Sequence, residues 1–298
     1  MQNLVLLIFC FIAGILLKRF KKFNDQSHLT LNHFIIYISL PGLIIKNLRF
    51  VPVTPAYFSA AFMPWIIFIL CIPFFLLLAR NKVISREAAL CLILTAGLGN
   101  TSFVGIPIIE ALYGSQYVPI GIVIDQLGTF LVVSLLGITL IDFLLMGEFH
   151  FRRALINLTT FPPFIAILIA GIFLYFKPPE IVYTMADRLG ATLAPLALVS
   201  VGMQWKTNAL KHLRLELALG LGYKLILAPL IIFLLYSSFD YVSDLKRIVL
   251  LEASMGPMIT GGIIAVSKNL NPALASAMVS VGIPLSLIPS LIVKYWFP

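Results

Sequence analysis

Charged residues make up only 11% of this chain, against about 25% in an ordinary soluble domain. That shortage excludes a water-soluble globule. The 60% share of hydrophobic residues and a mean hydropathy of +1.04 agree. Cysteine is scarce too. Cys10, Cys71 and Cys91 sit singly in different apolar runs, which excludes a disulfide framework or thiolate metal centre and leaves packing as small buried hydrophobes. The four histidines, His28, His33, His150 and His212, are scattered without metal-ligand spacing and read as surface residues. No phosphate-binding loop is present, so ATP does not drive the protein directly. No polar stretch is long enough for a separate soluble domain. The net charge of +9 has no basic domain behind it, so nucleic acid is excluded as a partner and anionic lipid headgroups account for the excess. Neither a cofactor nor a resident metal is expected.

What is present is a series of apolar runs long enough to cross a bilayer, for which roughly 20 residues are needed. The chain reads as an all-α polytopic membrane protein of the cell (plasma or inner) membrane. Ten spans are expected, at about 3–17, 30–47, 56–79, 87–112, 117–143, 154–176, 187–204, 213–236, 246–266 and 272–295. The first has its basic residues, Lys18, Arg19, Lys21 and Lys22, after the apolar run, as an uncleaved span does. Thirteen Lys and Arg fall in the odd-numbered loops, including Lys206, Lys211 and Lys268, and seven in the even loops and C-terminus. The positive-inside rule then puts both termini outside, N-out and C-out.

The two halves, 1–148 and 149–298, repeat weakly. At an offset of about 157, Gly99-Asn100-Thr101 falls on Gly256-Pro257-Met258 and Gly105 on Gly262. At 154, Pro41 falls on Pro195. Five spans per half would set the second half upside down, giving two inverted five-helix repeats, a pattern found in transporters. The fourth span breaks at GLGNTSFVGIP and the ninth at SMGPMITGG. Pro107 and Pro257 each lack an amide hydrogen, and freed backbone groups in lipid cost several kcal/mol unless satisfied. Such breaks are tolerated where they line a cavity or bind something. Two matched breaks could cross near the midplane, where half-helix N-termini suit an anion. Prolines such as Pro229 and Pro284 read as kinks only.

The stretches LPGLIIKNL (40–48), GNTSFVGIPIIEALYG (99–114), LAPLALVSVGM (193–203) and ASMGPMITGGIIAVSKNLNPALASAMVSVGIPLSLI (253–288) resemble the auxin efflux carrier family, also called the membrane transport protein family. Its prokaryotic members are often described as malate or malonate permeases. The resemblance implies an architecture like that of bile-acid symporters and sodium–proton antiporters. In it, spans 1, 2, 6 and 7 (about 1–48 and 154–204) form a scaffold, and spans 3–5 and 8–10 (about 56–143 and 213–295) form a core with crossing broken helices 4 and 9. It further implies a secondary carrier of small organic anions with an elevator-like core. Plant auxin carriers have a long loop between the halves, whereas here only about ten residues, 144–153, occupy that place. They also tend to have Asn-Pro at the first break. Here Thr101 follows Asn100, a departure that bears on auxin-like substrates.

Asn100, Thr101, Ser102, Thr260 and the freed backbone around Met258 are the first candidates for ligand contact. Gly105, Pro107, Gly256, Pro257 and Gly261 shape the breaks, and Pro41 and Leu43 belong to the matching motif of the second span. Four residues are candidates for coupling or charge. Lys224, ~16 Å into the eighth span at the helical rise, could pair with Glu252, attract the anion or snorkel to an interface. Asp125 and Thr129 share one helix face, and Asp125 could carry a proton, help hold Na⁺ or cap freed amides. Glu252 is open to the same options, and any Na⁺ would lie near Asn100, Asp125 and Glu252. Glu110 and Asp142, close to span ends, are expected to be solvated. Coupling to H⁺, to Na⁺ or to membrane potential alone is open. The expected partners are a small organic anion and the bilayer, with a homodimer through scaffold helices compatible with the pattern. A metabolite sensor or a passive anion channel is the alternative. An intramembrane hydrolase is excluded because Ser102 has no nearby base and the aspartates lack protease contexts. The chain is not expected to be an enzyme.

Overall fold

The computed structural model describes residues 2–20, 22–24, 26–52, 54–147, 151–205, 214–238 and 243–296. Lys21, His150, Lys206, Lys211 and His212 lie outside them. Among the described residues the chain is helical throughout except for turns and one isolated bridge. In chain order the helices are α1 (Gln2–Leu17), α2 (Ser27–Phe50), α3 (Pro55–Arg80), α4 (Arg86–Ala96), α5 (Thr101–Leu112), α6 (Ser115–Leu145) and α7 (Phe151–Thr159). They continue as α8 (Pro162–Tyr175), α9 (Glu180–Gly190), α10 (Leu193–Gln204), α11 (Leu215–Ser237), α12 (Ser243–Ala253), α13 (Ile259–Ser267) and α14 (Pro272–Trp296).

Five of these, α2, α3, α6, α11 and α14, are long and apolar enough to cross a membrane, and Val5–Leu17, α5 and α8 are shorter apolar helices. Large apolar side chains stand exposed on them, among them Phe9, Leu168, Ile226 and Ile288. Water would penalise such surface and hydrocarbon would not. The stretch expected as one span at 187–204 starts earlier, at Glu180, and is divided at Ala191-Thr192. Pro195 explains the division: its ring cannot coexist with an unbroken helical turn at the carbonyl four residues back, Ala191. The earlier start was hidden by Glu180, Asp187 and Arg188, which break the apolar run.

Prolines also explain a set of widened, π-helical turns. Ile35–Ser39, Thr101–Gly105 and Tyr223–Leu227 each end two residues before a proline, Pro41, Pro107 and Pro229. The carbonyl that each ring would strike, four residues back, belongs to Tyr37, Phe103 or Leu225, the middle residue of its turn. Widening the turn moves that carbonyl aside without ending the helix. Two further widened turns, Ile124–Phe130 and Val132–Gly137, lie in α6.

The chain forms two compact units. The first comprises Met1–Thr54, Ser102–Ile122 and Ile156–Trp205. In it α1 lies on α10 with the backbones touching: a Cβ on Gly14 would stand 2.2 Å from the Val199 carbonyl oxygen, and one on Gly202 2.1 Å from that of Phe11. α2 packs on α8 and α9. There the two acids that helped hide α9 find partners. Lys46 pairs with Asp187, and Arg49 forms a two-pronged pair with Glu180 at 3.2 and 3.3 Å while stacking over Tyr183. Buried Asn32 accepts from Ser200 at 2.5 Å.

The second unit comprises Pro55–Thr101, Val123–Leu155 and Lys206–Pro298. Its centre is α4, in which every residue from Ala88 to Ala96 is buried. α13 approaches α4 closely enough that a Cβ on Gly261 would meet the Leu94 carbonyl at 2.3 Å. α6 lies on α3, with Gly128 against Pro64 and Ala61. α11 meets α4 and α14 at Gly220, beside Leu92 and Met278. Asp142, expected to be solvated, is buried and paired with Lys268. The tertiary fold brings a lysine from the end of α13 to an acid near the end of α6, a pairing no local pattern announces.

Candidate functional site

The site begins where two helices of the second unit stop. α4 starts from a Ser85 cap whose side chain accepts from the Ala88 amide, and it ends at Ala96. Non-helical residues Gly97 to Asn100 lead from it to α5. In the other half α12 ends at Ala253, and non-helical residues lead to α13 at Ile259. The two non-helical segments meet antiparallel at Gly99 and Pro257. The Asn100 amide donates to the Gly256 carbonyl at 2.8 Å, and the Met258 amide donates to Leu98 at 3.0 Å. Gly99 and Pro257 therefore face each other at a non-hydrogen-bonded position, the one place in such a ladder where a missing amide hydrogen costs nothing. The breaks satisfy part of each other's freed backbone.

Close packing fixes where the arms lie. A Cβ on Gly256 would stand 2.7 Å from the Ile283 Cα, and one on Gly282 2.4 Å from the Pro257 ring. Side chains could not pass between α14 and the second arm. Gly99 is different: its nearest neighbour is the tip of Lys224, at 3.1 Å.

Lys224 is 1% exposed and does not snorkel. Its ammonium donates to the Ala253 carbonyl at 3.0 Å. In an unbroken helix that carbonyl would accept from residue 257, which is proline and has no donor. The lysine supplies the hydrogen bond that Pro257 cannot. No contact ion pair forms between Lys224 and Glu252 within 4.0 Å. Glu252 is fully buried, and neither carboxyl oxygen has a hydrogen-bond donor among the described residues. The buried Thr129 hydroxyl also has no partner among the described residues. Both line one small cleft with Lys224, Thr101, Gly97, Gly99, Met63, Pro64 and Ile67.

Asp125, equally buried, is well supplied. The Thr101 hydroxyl donates to one oxygen at 2.5 Å and the Gln126 amide to the other at 2.6 Å. Thr101 begins one widened turn, Asp125 and Thr129 lie in another and Lys224 in a third. Sequence reasoning missed these turns and took Pro229 for a simple kink. The signal was there: a proline five residues after Lys224 predicts a disturbed turn at Leu225. It also missed the side chains that hold the turns. Tyr223 donates to the Ile67 carbonyl at 2.7 Å, and the Trp65 indole to Leu127 at 3.1 Å.

The other expected site residues are distributed as follows. Thr260 and Gly261 lie on the first turn of α13, with Thr260 exposed. Ser102, Gly105, Pro107, Pro41 and Leu43 belong to the first unit. There Leu43 and Pro107 line a separate cleft with Lys46, Asp187 and the half-buried Glu110. Cys10, Cys71 and Cys91 are free and buried, as their placement in apolar runs implied.

A family model described as "Membrane transport protein" matches residues 1–144 and 142–294. Among similar curated proteins is an "Uncharacterized transporter" of Methanothermobacter thermautotrophicus, 26% identical over 285 residues, covering 93% of this chain and 91% of that one. An uncharacterized transporter of Methanocaldococcus jannaschii is 24% identical over 264 residues, covering 86% and 85%. A "Putative malonate transporter" of Rhizobium meliloti is 28% identical over 223 residues, covering 70% and 67%.

Proposed function

The chain belongs to the membrane transport protein family, and on that premise we propose that it is a secondary carrier of small organic anions, mono- or dicarboxylates such as malonate or malate. It is an integral multi-pass membrane protein, and its relatives bear transporter names, which supports transport without covalent chemistry. The Rhizobium meliloti relative's name supports a dicarboxylate. The observation that carries the reading is the crossing of the two broken elements at Gly99 and Pro257, with one buried ammonium, Lys224, in the cleft beside it. A cation held in a dry site attracts an anion far more strongly than it would in water. Lys224 has three donors and spends one on Ala253, so a substrate carboxylate can take another.

In this reading the substrate lies at the crossover near Asn100, Thr101 and Met258. The second unit, which contains the crossing, plays the transport role, and the first unit plays the scaffold. Access alternates by an elevator-type movement, and the ten spans form two inverted repeats. The packing partners support the repeat: α1 lies on α10 and α2 on α8 and α9, the exchange that two related helix pairs would make.

The test is malonate counterflow in proteoliposomes. Wild-type protein is expected to exchange labelled malonate against an unlabelled internal pool. Asn100→Ala, shown to be folded by its melting profile, is expected to lose that exchange. Full exchange by the variant would remove the crossover from the account. Flux without counterflow would indicate a channel, and binding without flux a sensor.

A further inference from the structure

Two buried acids flank the crossover, and only Glu252 lacks a donor. A buried carboxylate with no donor is among the most costly groups a protein can hold. The cost disappears when the group carries a proton, and it falls when an ammonium reaches it. Lys224 is the ammonium within reach: it lines the same cleft, and it is bonded to the carbonyl of the next residue, Ala253.

We propose that Glu252 is a proton-carrying competitor of the substrate for Lys224, which makes the protein a proton–anion symporter. The inference rests on the crossover being the substrate site. With the proton on Glu252, that residue is neutral and the free donors of Lys224 are open to a substrate carboxylate. When the Glu252 O–H bond breaks and the proton leaves to water, the new carboxylate takes an N–H donor of Lys224. The lysine stays protonated throughout, and the organic anion loses its counter-charge. Proton and anion thus favour each other's binding, and linkage makes that preference mutual.

The charges acting on Glu252 are Asp125 on α6 and Lys224 on α11. Among the helices packed on α12, α3 brings the Cys71 thiol, which acts on Lys224, and α11 brings Tyr223, whose hydroxyl is engaged with Ile67. Asp125 accepts from Thr101 and Gln126 and so has donors that stabilise its charge without a proton. Among the described residues no acid, histidine and cysteine cluster fit for a metal is found.

The experiment uses the full chain in proteoliposomes with the membrane potential clamped and radiolabelled malonate as probe. Wild type, Glu252→Gln and Glu252→Asp are compared by counterflow at equal pH and by uptake under an inward proton gradient. A gradient of about one pH unit supports up to about tenfold accumulation per proton carried. Wild type and Glu252→Asp are expected to accumulate malonate, and a trapped pH dye should report acidification as it enters. In Glu252→Gln the ratio of gradient-driven uptake to counterflow is expected to fall at least about tenfold. Comparing variants at one pH cancels the titration of malonate itself. A wild-type ratio in Glu252→Gln overturns the assignment. So does wild-type entry without acidification, or accumulation driven by Na⁺ in place of protons. If wild type shows no counterflow with malonate or other dicarboxylates, the carrier reading fails first and this proposal falls with it.

Discussion

The two arms of the crossover carry the same kind of break and treat their acids in opposite ways. The first arm leads into Thr101, whose hydroxyl holds Asp125, and Gln126 holds the other oxygen. The second arm follows Glu252, which is as deeply buried and has no protein donor. The glycines differ in the same sense. Gly256 is pressed against the backbone of α14, whereas Gly99 faces the flexible end of a lysine. The second arm is thus rigid in its backbone with an unsatisfied acid, and the first has a satisfied acid with a movable side chain beside its backbone. A symmetric-looking pair of breaks can therefore divide its work, one arm supplying structure to an acid and the other leaving an acid free to change state.

The sharpest way to break this contrast is at the glycines. Gly256→Ala is expected to cost about 1–3 kcal/mol or more, because the new Cβ meets backbone that cannot move. A large drop in melting temperature in detergent would show it. Gly99→Ala should cost less than about 1 kcal/mol, because the lysine tip can shift, yet it should depress counterflow by disturbing Lys224. Equal melting losses in the two variants would erase the difference between the arms.

Lys224→Met is expected to weaken malonate binding about tenfold to a hundredfold, since a hydrogen bond to a charged group contributes about 1.5–3 kcal/mol. Titration of the purified protein with labelled malonate would measure it, and unchanged affinity would detach the substrate from the lysine. Thr101→Val removes one donor from Asp125 and should destabilise by about 1–2 kcal/mol, read as a lower melting temperature. Stability unaffected by that change would mean that Asp125 is not tied as the contrast requires. The smallest effect on transport belongs to Asp142→Asn, which weakens the pair with Lys268 far from the crossover along both helices. Because Asp142 is buried, stability is expected to fall by about 1–3 kcal/mol, with an unaltered ratio of gradient-driven uptake to counterflow. A changed ratio would extend the coupling machinery beyond the cleft.

The breaks themselves were legible in the sequence because glycine and proline act locally. Gly99, Gly256 and Pro257 mark places where a helix cannot continue, and the repeat offset sets the two marks against each other. The bond between Lys224 and Ala253 was not legible, although its cause is local: Pro257 removes a donor, and only the tertiary fold says which side chain replaces it. Pairing with Glu252, one of the options open for Lys224, named a neighbour in the same cleft, and the bond that Lys224 makes in this structure goes to the Ala253 carbonyl. α9 was truncated because its charges lower its hydropathy, and the two acids among them, Asp187 and Glu180, are compensated by Lys46 and Arg49 from a distant part of the chain. Asp142 was misplaced for the same reason. Charge in an apolar chain reads as surface until its partner is known.

The central claim is that an organic anion sits where the arms cross, and a map of the protein determined with malonate bound tests it most directly. A malonate carboxylate should lie within hydrogen-bond distance of the Lys224 ammonium, beside Gly99 and Asn100. Malonate bound only in the other cleft, against Lys46, Glu110 and Asp187, would contradict it.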